Sequence, residues 1–314
     1  LPMQNGFDDY FGLPYSNDMW PHHPTAKPGT YPPLPLLDGT NVVELMPDQH
    51  LLTRRYTERA VSFIERNAAG PFFLYLAHSM PHVPLFAGSR FSGRSRQGLY
   101  GDVIEEIDWS VGEVLKALKQ RGVEKETLLI FTSDNGPVWY PQDVQRTGHD
   151  SSGGLRGMKS SNWEAGHRMP FIVRWPGRVK AGSITAQTIC FTDVMATLAA
   201  ASGATLAAEA GPDSFSFLPV LLGNQPTTQP VRESLVVGRS IRSGRWKWID
   251  GREAIHFGRA SSGTYPAASE PPGQLYDLDA DPRETTNLTT AQPEIAARLQ
   301  AEFAQIQKSS RTRP

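Results

Sequence analysis

The chain has 314 residues, 39% of them hydrophobic and 20% charged, with a formal net charge of -1. These totals suit a globular protein with a sizeable core and exclude a basic field of the kind that binds nucleic acid or an anionic membrane. No apolar run reaches membrane-spanning length, and the single cysteine, Cys190, excludes an intrachain disulfide framework.

Residues 1 to about 40, rich in Pro, Gly and aromatics, read as a covering loop. Pro47 to Asn67 predicts a helix, with Leu51, Leu52, Tyr56, Ala60, Phe63 and Ile64 at helical spacing and Gly70-Pro71 as its stop. The apolar run Phe72 to Ala77 predicts a strand buried on both faces. Asp102 to Arg121 predicts a second helix, with Val103, Ile107, Val111, Val114 and Leu118 on one stripe and Gly122 as its C-terminal signal. Leu128 to Thr132 and Phe171 to Trp175 read as further buried strands, and Asp193 to Ala201 as a helix. Helices alternating with buried strands indicate an α/β sheet covered on both faces. From about residue 230 the pattern changes to antiparallel strands at 234–238, 240–250 and 274–278, then an amphipathic helix from Pro293 to Lys308. The expected division is therefore a domain over 1–225 and a smaller α+β subdomain over 226–314, joined by a Pro/Gly-containing stretch. The start at Leu1, without an initiator Met, reads as a chain cut from something longer.

Three segments carry candidate chemistry, and all follow or adjoin predicted strands. Ser133-Asp134-Asn135-Gly136 places a carboxylate beside an amide oxygen, two hard ligands suited to Ca²⁺ or Mg²⁺; taken alone, the same residues make an ordinary turn. Met80-Pro81-His82-Val83-Pro84 holds an imidazole between prolines, a group able to protonate a leaving oxygen near neutral pH. Gly154-Leu155-Arg156-Gly157-Met158-Lys159 offers a lysine in a glycine-rich loop as a point charge for an oxyanion. Glu164 and Arg168 are positioned to pair and fix that loop. A metal-ligand pair, an acid and an anion-binding cation together fit hydrolysis of a sulfate or phosphate ester.

In their order along the chain these motifs resemble the type I, formylglycine-dependent sulfatases of the alkaline phosphatase superfamily, on the arylsulfatase A-like branch. Gly6-Phe7-Asp8-Asp9-Tyr10 through Pro14-Tyr15-Ser16-Asn17-Asp18 is similar to the stretch after the family's Gly-Lys-Trp-His motif. Pro81-His82-Val83-Pro84-Leu85 resembles its histidine loop, Ser133 to Gly136 its calcium loop and Leu155 to Pro170 its lysine segment. Leu275-Tyr276-Asp277-Leu278 and Asp281-Pro282-Arg283-Glu284 resemble its C-terminal signature. The resemblance implies an α/β fold: an alkaline phosphatase-like, mostly parallel sheet flanked by helices, its N-terminal part missing, plus a small C-terminal α+β subdomain with an antiparallel sheet. It implies a sulfuric-ester hydrolase acting on an aryl or carbohydrate sulfate, with Asp134 and Asn135 on Ca²⁺ (Mg²⁺ as the alternative). Lys159 and His82 would be catalytic, Ser16 would bind the sulfate, and His149 would shape substrate selectivity. Family members are usually exported or lysosomal, so a periplasmic or secreted location is expected, with no membrane span and no nucleic-acid partner.

One departure matters. The family's Cys-x-Pro-Ser-Arg motif, whose cysteine becomes formylglycine, does not occur in these 314 residues; Cys190 stands in Ile189-Cys190-Phe191-Thr192-Asp193 and reads as a small buried hydrophobe. The expectation is that this chain alone is inactive. Two further readings stay open: a phosphodiesterase or phosphonate monoester hydrolase of the same superfamily, and a non-catalytic anion- or glycan-binding remnant.

Overall fold

In the computed structural model, which describes residues 1–23, 25–251 and 273–313, the chain forms two units, Leu1–Thr127 and Leu128–Pro314. The first contains the strands β1 (Phe11–Gly12), β2 (Pro35–Asp38) and β3 (Asn41–Leu45) and the helices α1 (Leu52–Asn67) and α2 (Gly98–Gln120). The expected covering loop over residues 1 to 40 is thus partly a three-stranded antiparallel sheet, ordered β1-β2-β3. Asp38-Gly39 is the signal that locates it: Asp38 pairs with Asn41 across a two-residue turn in which Gly39 takes φ 60°.

Helix α1 buries Leu52, Tyr56, Ala60 and Ile64, one residue every four, and Leu52 and Tyr56 pack with Leu36 of β2. Helix α2 buries the predicted Val103, Ile107, Val114 and Leu118, leaving Val111 half-buried. It also buries a polar row the apolar pattern does not reveal: Asp102, Glu106 and Ser110. The Asp102 carboxylate accepts the backbone N–H groups of Gly93, Arg94 and Ser95, and Glu106 accepts that of Gly88, so α2 supports the loop after His82. Gly122 ends the helix at φ 73°, with the N–H of Val123 bonding back to the Leu118 carbonyl.

The run Phe72 to Ala77 forms no ladder among the described residues, contrary to the strand expected there. Phe72 meets Phe63 of α1 and Leu76 meets the Leu36–Leu52–Tyr56 cluster, while Phe73 and Tyr75 are 58% and 60% exposed. Apolar composition predicts burial on two faces; this unit covers one.

The second unit contains β4 (Leu129–Thr132), α3 (Pro141–Thr147), α4 (Glu164–His167), β5 (Phe171–Arg174), α5 (Asp193–Ala201), α6 (Leu218–Leu221), β6 (Ser234–Val237), β7 (Ser240–Ser243), β8 (Trp246–Ile249), β9 (Gln274–Asp277) and α7 (Pro293–Lys308). β4 and β5 pair antiparallel, Leu129 opposite Arg174 and Thr132 opposite Phe171. Every ladder among the described residues is antiparallel, so these strands do not themselves display the mostly parallel sheet that was expected. The segment expected as one strand from 240 to 250 is two, β7 and β8, because Gly244 at φ 57° reverses the chain. The resulting β6-β7-β8-β9 meander packs Ile241, Trp248 and Leu275 against Ala296, Leu299 and Phe303 of α7. A second cluster joins Met158 and Trp163 to Ile249, Tyr276 and Leu278. The unit's core therefore runs across the expected junction at 225/226.

Candidate functional site

Ser16 and His82 belong to the first unit; Asp134, Asn135, His149 and Lys159 belong to the second. In the first unit, Ser16 opens a turn closed by the N–H of Met19 donating to its carbonyl at 3.1 Å. The next residue, Asn17, is buried and latches two other segments: its Nδ2 donates to Gln49 Oε1 at 2.9 Å and to the Pro84 carbonyl at 3.3 Å. Gln49 answers by donating to the Asn17 carbonyl at 3.1 Å. The Ser16 turn is thereby tied to the loop of His82, two residues before Pro84. Both prolines beside His82 follow cis peptide bonds, Met80–Pro81 and Val83–Pro84. His82 Nδ1 lies 2.6 Å from the Val83 carbonyl. A carbonyl only accepts, so Nδ1 carries the hydrogen and Nε2 is the ring nitrogen not engaged in that bond.

In the second unit, the loop after β4 is held by close backbone approach. Gly136 N–H donates to the Gly166 carbonyl at 3.0 Å, and a Cβ on Gly136 would lie 1.7 Å from the Ala165 carbonyl oxygen. Only glycine fits there. Asp134 is exposed, and Asn135 Nδ2 donates to the Gly136 carbonyl at 2.9 Å, which leaves the amide oxygen as the acceptor for a cation. Lys159 N–H donates to the Pro137 carbonyl at 2.8 Å, so the lysine segment is stitched to the residue directly after the Asp-Asn-Gly loop. These bonds bring Asp134, Asn135 and Lys159 into one neighbourhood. His149 lies on the loop after α3, its carbonyl accepting from Trp139 Nε1 at 2.7 Å and its ring edge-on to Trp139. Asp150 beside it is fixed by Ser152 and Gly154; burial pushes its carboxyl up, but these hydrogen bonds outweigh it and hold the group low.

Asp134 and the Asn135 amide supply two hard oxygens, the chemistry a Ca²⁺ or Mg²⁺ ion selects. Ca²⁺ takes six to eight oxygens in general, so this pair fits such an ion as part of a ligand set. Among the described residues no group of three or more His, Cys, Asp or Glu side chains is arranged to hold a metal.

The lysine segment also carries, at Glu164, a buried charge network that the sequence pattern does not reveal. Lys247 of β8 places Nζ 2.9 Å from Glu164 Oε1 and 2.9 Å from Glu284 Oε1, while Glu284 Oε2 accepts the Glu164 backbone N–H at 2.6 Å. Arg168, the partner expected for Glu164, is 3.6 Å away with its side chain 56% exposed; Lys247 is 2% exposed. Arg156 adds bonds to the Glu284 carbonyl and the Tyr276 hydroxyl and stacks over Trp163 at 4.0 Å. The two carboxylates differ in charge preference. Burial pushes both up, but Lys247 and Arg242 hold Glu164 low, whereas burial prevails at Glu284. Burial and the Lys247 charge push His167 down to about 4, so it is neutral at physiological pH. A lysine alternating with Trp246 and Trp248 along a strand looks like a solvated position, and only the opposing glutamates explain it. Cys190 is half-buried rather than buried, its N–H capped by the Asp193 carboxylate, which also binds Arg232.

Among the described residues no helix is long and apolar enough to cross a membrane. A model of the sulfatase family matches residues 2–204. An N-acetylgalactosamine-6-O-sulfatase of Bacteroides thetaiotaomicron is 38% identical over 266 residues, covering 82% of this chain and 50% of its own length. Human arylsulfatase A is 34% identical, covering 95% of this chain and 64% of its own length. A solved sulfatase from Bacteroides thetaiotaomicron, from work on glycosaminoglycan metabolism, superposes with a TM-score of 0.75 at 34% identity, covering 87% of this chain and 57% of that one. The chain thus spans between half and two thirds of the length of these relatives, and it shares their alkaline phosphatase-like fold. By the family match and these relatives, the chain belongs to the sulfatase family.

Proposed function

We propose that the protein is a sulfuric-ester hydrolase acting on an aryl or carbohydrate sulfate. The observation that carries this reading is the stitching of Lys159 to the Asp134-Asn135-Gly136 loop through the Pro137 carbonyl. An ammonium and two hard oxygens held on one rigid piece of backbone suit a sulfate group, whose oxygens bind a cation directly or through a metal. Asp134 and Asn135 would hold Ca²⁺, with Mg²⁺ as the alternative; when bound, that ion would neutralise sulfate oxygens. Lys159 orients the sulfate and supports charge on the leaving oxygen. By the resemblance, His82 with Nε2 protonated would give that proton to the leaving oxygen as an attacking group, outside the residues assigned to this chain, forms the new bond to sulfur and the S–O bond breaks, so the alcohol departs neutral. Ser16 donates a hydrogen bond to the sulfate, and His149 borders the group attached to it. The attacking group is not among the residues assigned here, and this chain by itself is proposed to bind esters without turning them over. The proposed division is a catalytic portion over 1–225 and a C-terminal subdomain over 226–314, and the proposed location is periplasmic or secreted, both resting on the resemblance.

Calorimetric titration of the chain with an aryl sulfate and with its parent phenol, each in Ca²⁺, tests the reading. Selective binding of the ester supports it. Equal binding of ester and phenol overturns it, and multiple turnovers abolished by His82→Ala would overturn the assignment of the chain as a non-turnover binder.

A further inference from the structure

Beside Ser16 and His82 the first unit builds an aromatic corner that none of the assigned roles uses. Trp20 follows Ser16 by four residues and Phe86 follows His82 by four. Their rings meet at 90° with centroids 5.9 Å apart. His22 stands edge-on to Trp20 at 4.9 Å and His50 edge-on to Phe86 at 4.9 Å. The two indole and phenyl rings are half-buried, while both imidazoles are exposed. His50 Nδ1 is occupied by Asp48 Oδ1 at 2.9 Å, which turns its Nε2 into the nitrogen a ligand would meet. The Asn17 latch to Gln49 and Pro84 holds both sides of the corner together. Two buried polar atoms in this turn, Asn17 Oδ1 and Trp20 Nε1, have no hydrogen-bond partner among the described residues. One is an acceptor and the other a donor.

We infer that this corner is the subsite for the sugar ring of a carbohydrate sulfate, resting on the sulfuric-ester reading above. Apolar ring faces with a few placed polar groups are the usual construction of a small-molecule site. A pyranose presents an apolar C–H face to Trp20 and Phe86, and its hydroxyls, each both donor and acceptor, complement the exposed imidazole rim of His22 and His50. A simple aryl group or a sterol offers the stacking face but little for that polar rim. Trp20 thus sets specificity without touching the reacting bond.

The test is calorimetry on the 314-residue chain and on Trp20→Ala and Trp20→Phe. The ligands are N-acetylgalactosamine 6-sulfate, unsulfated N-acetylgalactosamine and nitrophenyl sulfate, with folding checked by circular dichroism. Trp20→Ala should weaken the sulfated sugar about tenfold. It should leave nitrophenyl sulfate within about twofold, and Trp20→Phe should restore most of the sugar affinity. If Trp20→Ala fails to fold, His22→Ala takes its place, with the same pattern expected at smaller amplitude. Sugar affinity indifferent to Trp20 or His22, or equal losses for sugar and aryl sulfate, would overturn the subsite while leaving the sulfate-ester reading intact. Failure of both sulfate esters to bind would overturn the two together.

Discussion

The lysine segment of the second unit and the histidine loop of the first, each proposed to hold a side chain for a ligand, are built by opposite means. The lysine segment rests on backbone bonds, glycines that admit close approach and, at Glu164, a buried ion-pair network reaching across β8 to Glu284. His82 sits on a partly exposed loop tied down chiefly by the Asn17 latch, after an apolar run with one uncovered face. The difference follows the chemistry. A site that stabilises anionic charge works best when preorganised, because dipoles that need not reorient cost nothing at the moment of binding. A proton donor must reach its acceptor and exchange with solvent, so partial exposure suits it.

Removing Lys247 should separate the two regions most clearly. Lys247→Met leaves Glu164 and Glu284 buried against each other without their shared cation, and breaking such a pair costs about 3–5 kcal/mol. Chemical denaturation should show the second unit destabilised by that order, with His82 NMR signals unmoved. A loss below about 1 kcal/mol would place the network with ordinary surface pairs and remove the contrast.

The next effect is acid sensitivity, and it belongs to both units. Burial pushes His78 of the first unit down to about 4, as it does His167 of the second. Each has a folded value below its unfolded one, so the unfolded chain binds the extra proton between about pH 4 and 6.5. Stability is therefore full above pH 6.5 and falls as pH drops toward 4, by up to about 3 kcal/mol for each histidine. His167→Gln should flatten that slope for the second unit alone; an unchanged slope would show that His167 titrates normally.

The smallest effect is Arg168→Ala. Arg168 contacts the same Glu164 as Lys247 does but is largely exposed, and such pairs contribute about 0–1 kcal/mol. Melting temperatures of the two variants, measured side by side, compare a buried and an exposed partner of one carboxylate.

Much of this architecture was legible from residue pattern. Helices at Asp193–Ala201 and Pro293–Lys308 follow the predicted bounds, because an amphipathic helix carries its own periodicity. Phe72 to Ala77 shows the limit: composition reports that a segment prefers burial, but not whether a neighbour is present to bury it. The Ser240–Asp250 stretch has continuous strand propensity, yet a single glycine, Gly244 at φ 57°, turns it into two strands. Site residues were visible as motifs, and the bonds between them were not. Nothing in Pro137 or Gly166 announces that their carbonyls hold Lys159 and Gly136. Lys247 and Glu284 lie 37 residues apart in sequence and become a pair only through the β8–β9 ladder.

The central claim is that Lys159, on its preorganised loop, binds the sulfate of an ester. The most direct measurement is the affinity of an aryl sulfate for the chain and for Lys159→Ala, by calorimetry in Ca²⁺ and again in chelator. The account predicts that Lys159→Ala weakens the ester about tenfold, with binding of the parent phenol unaffected. Equal ester affinity in the two proteins would contradict it.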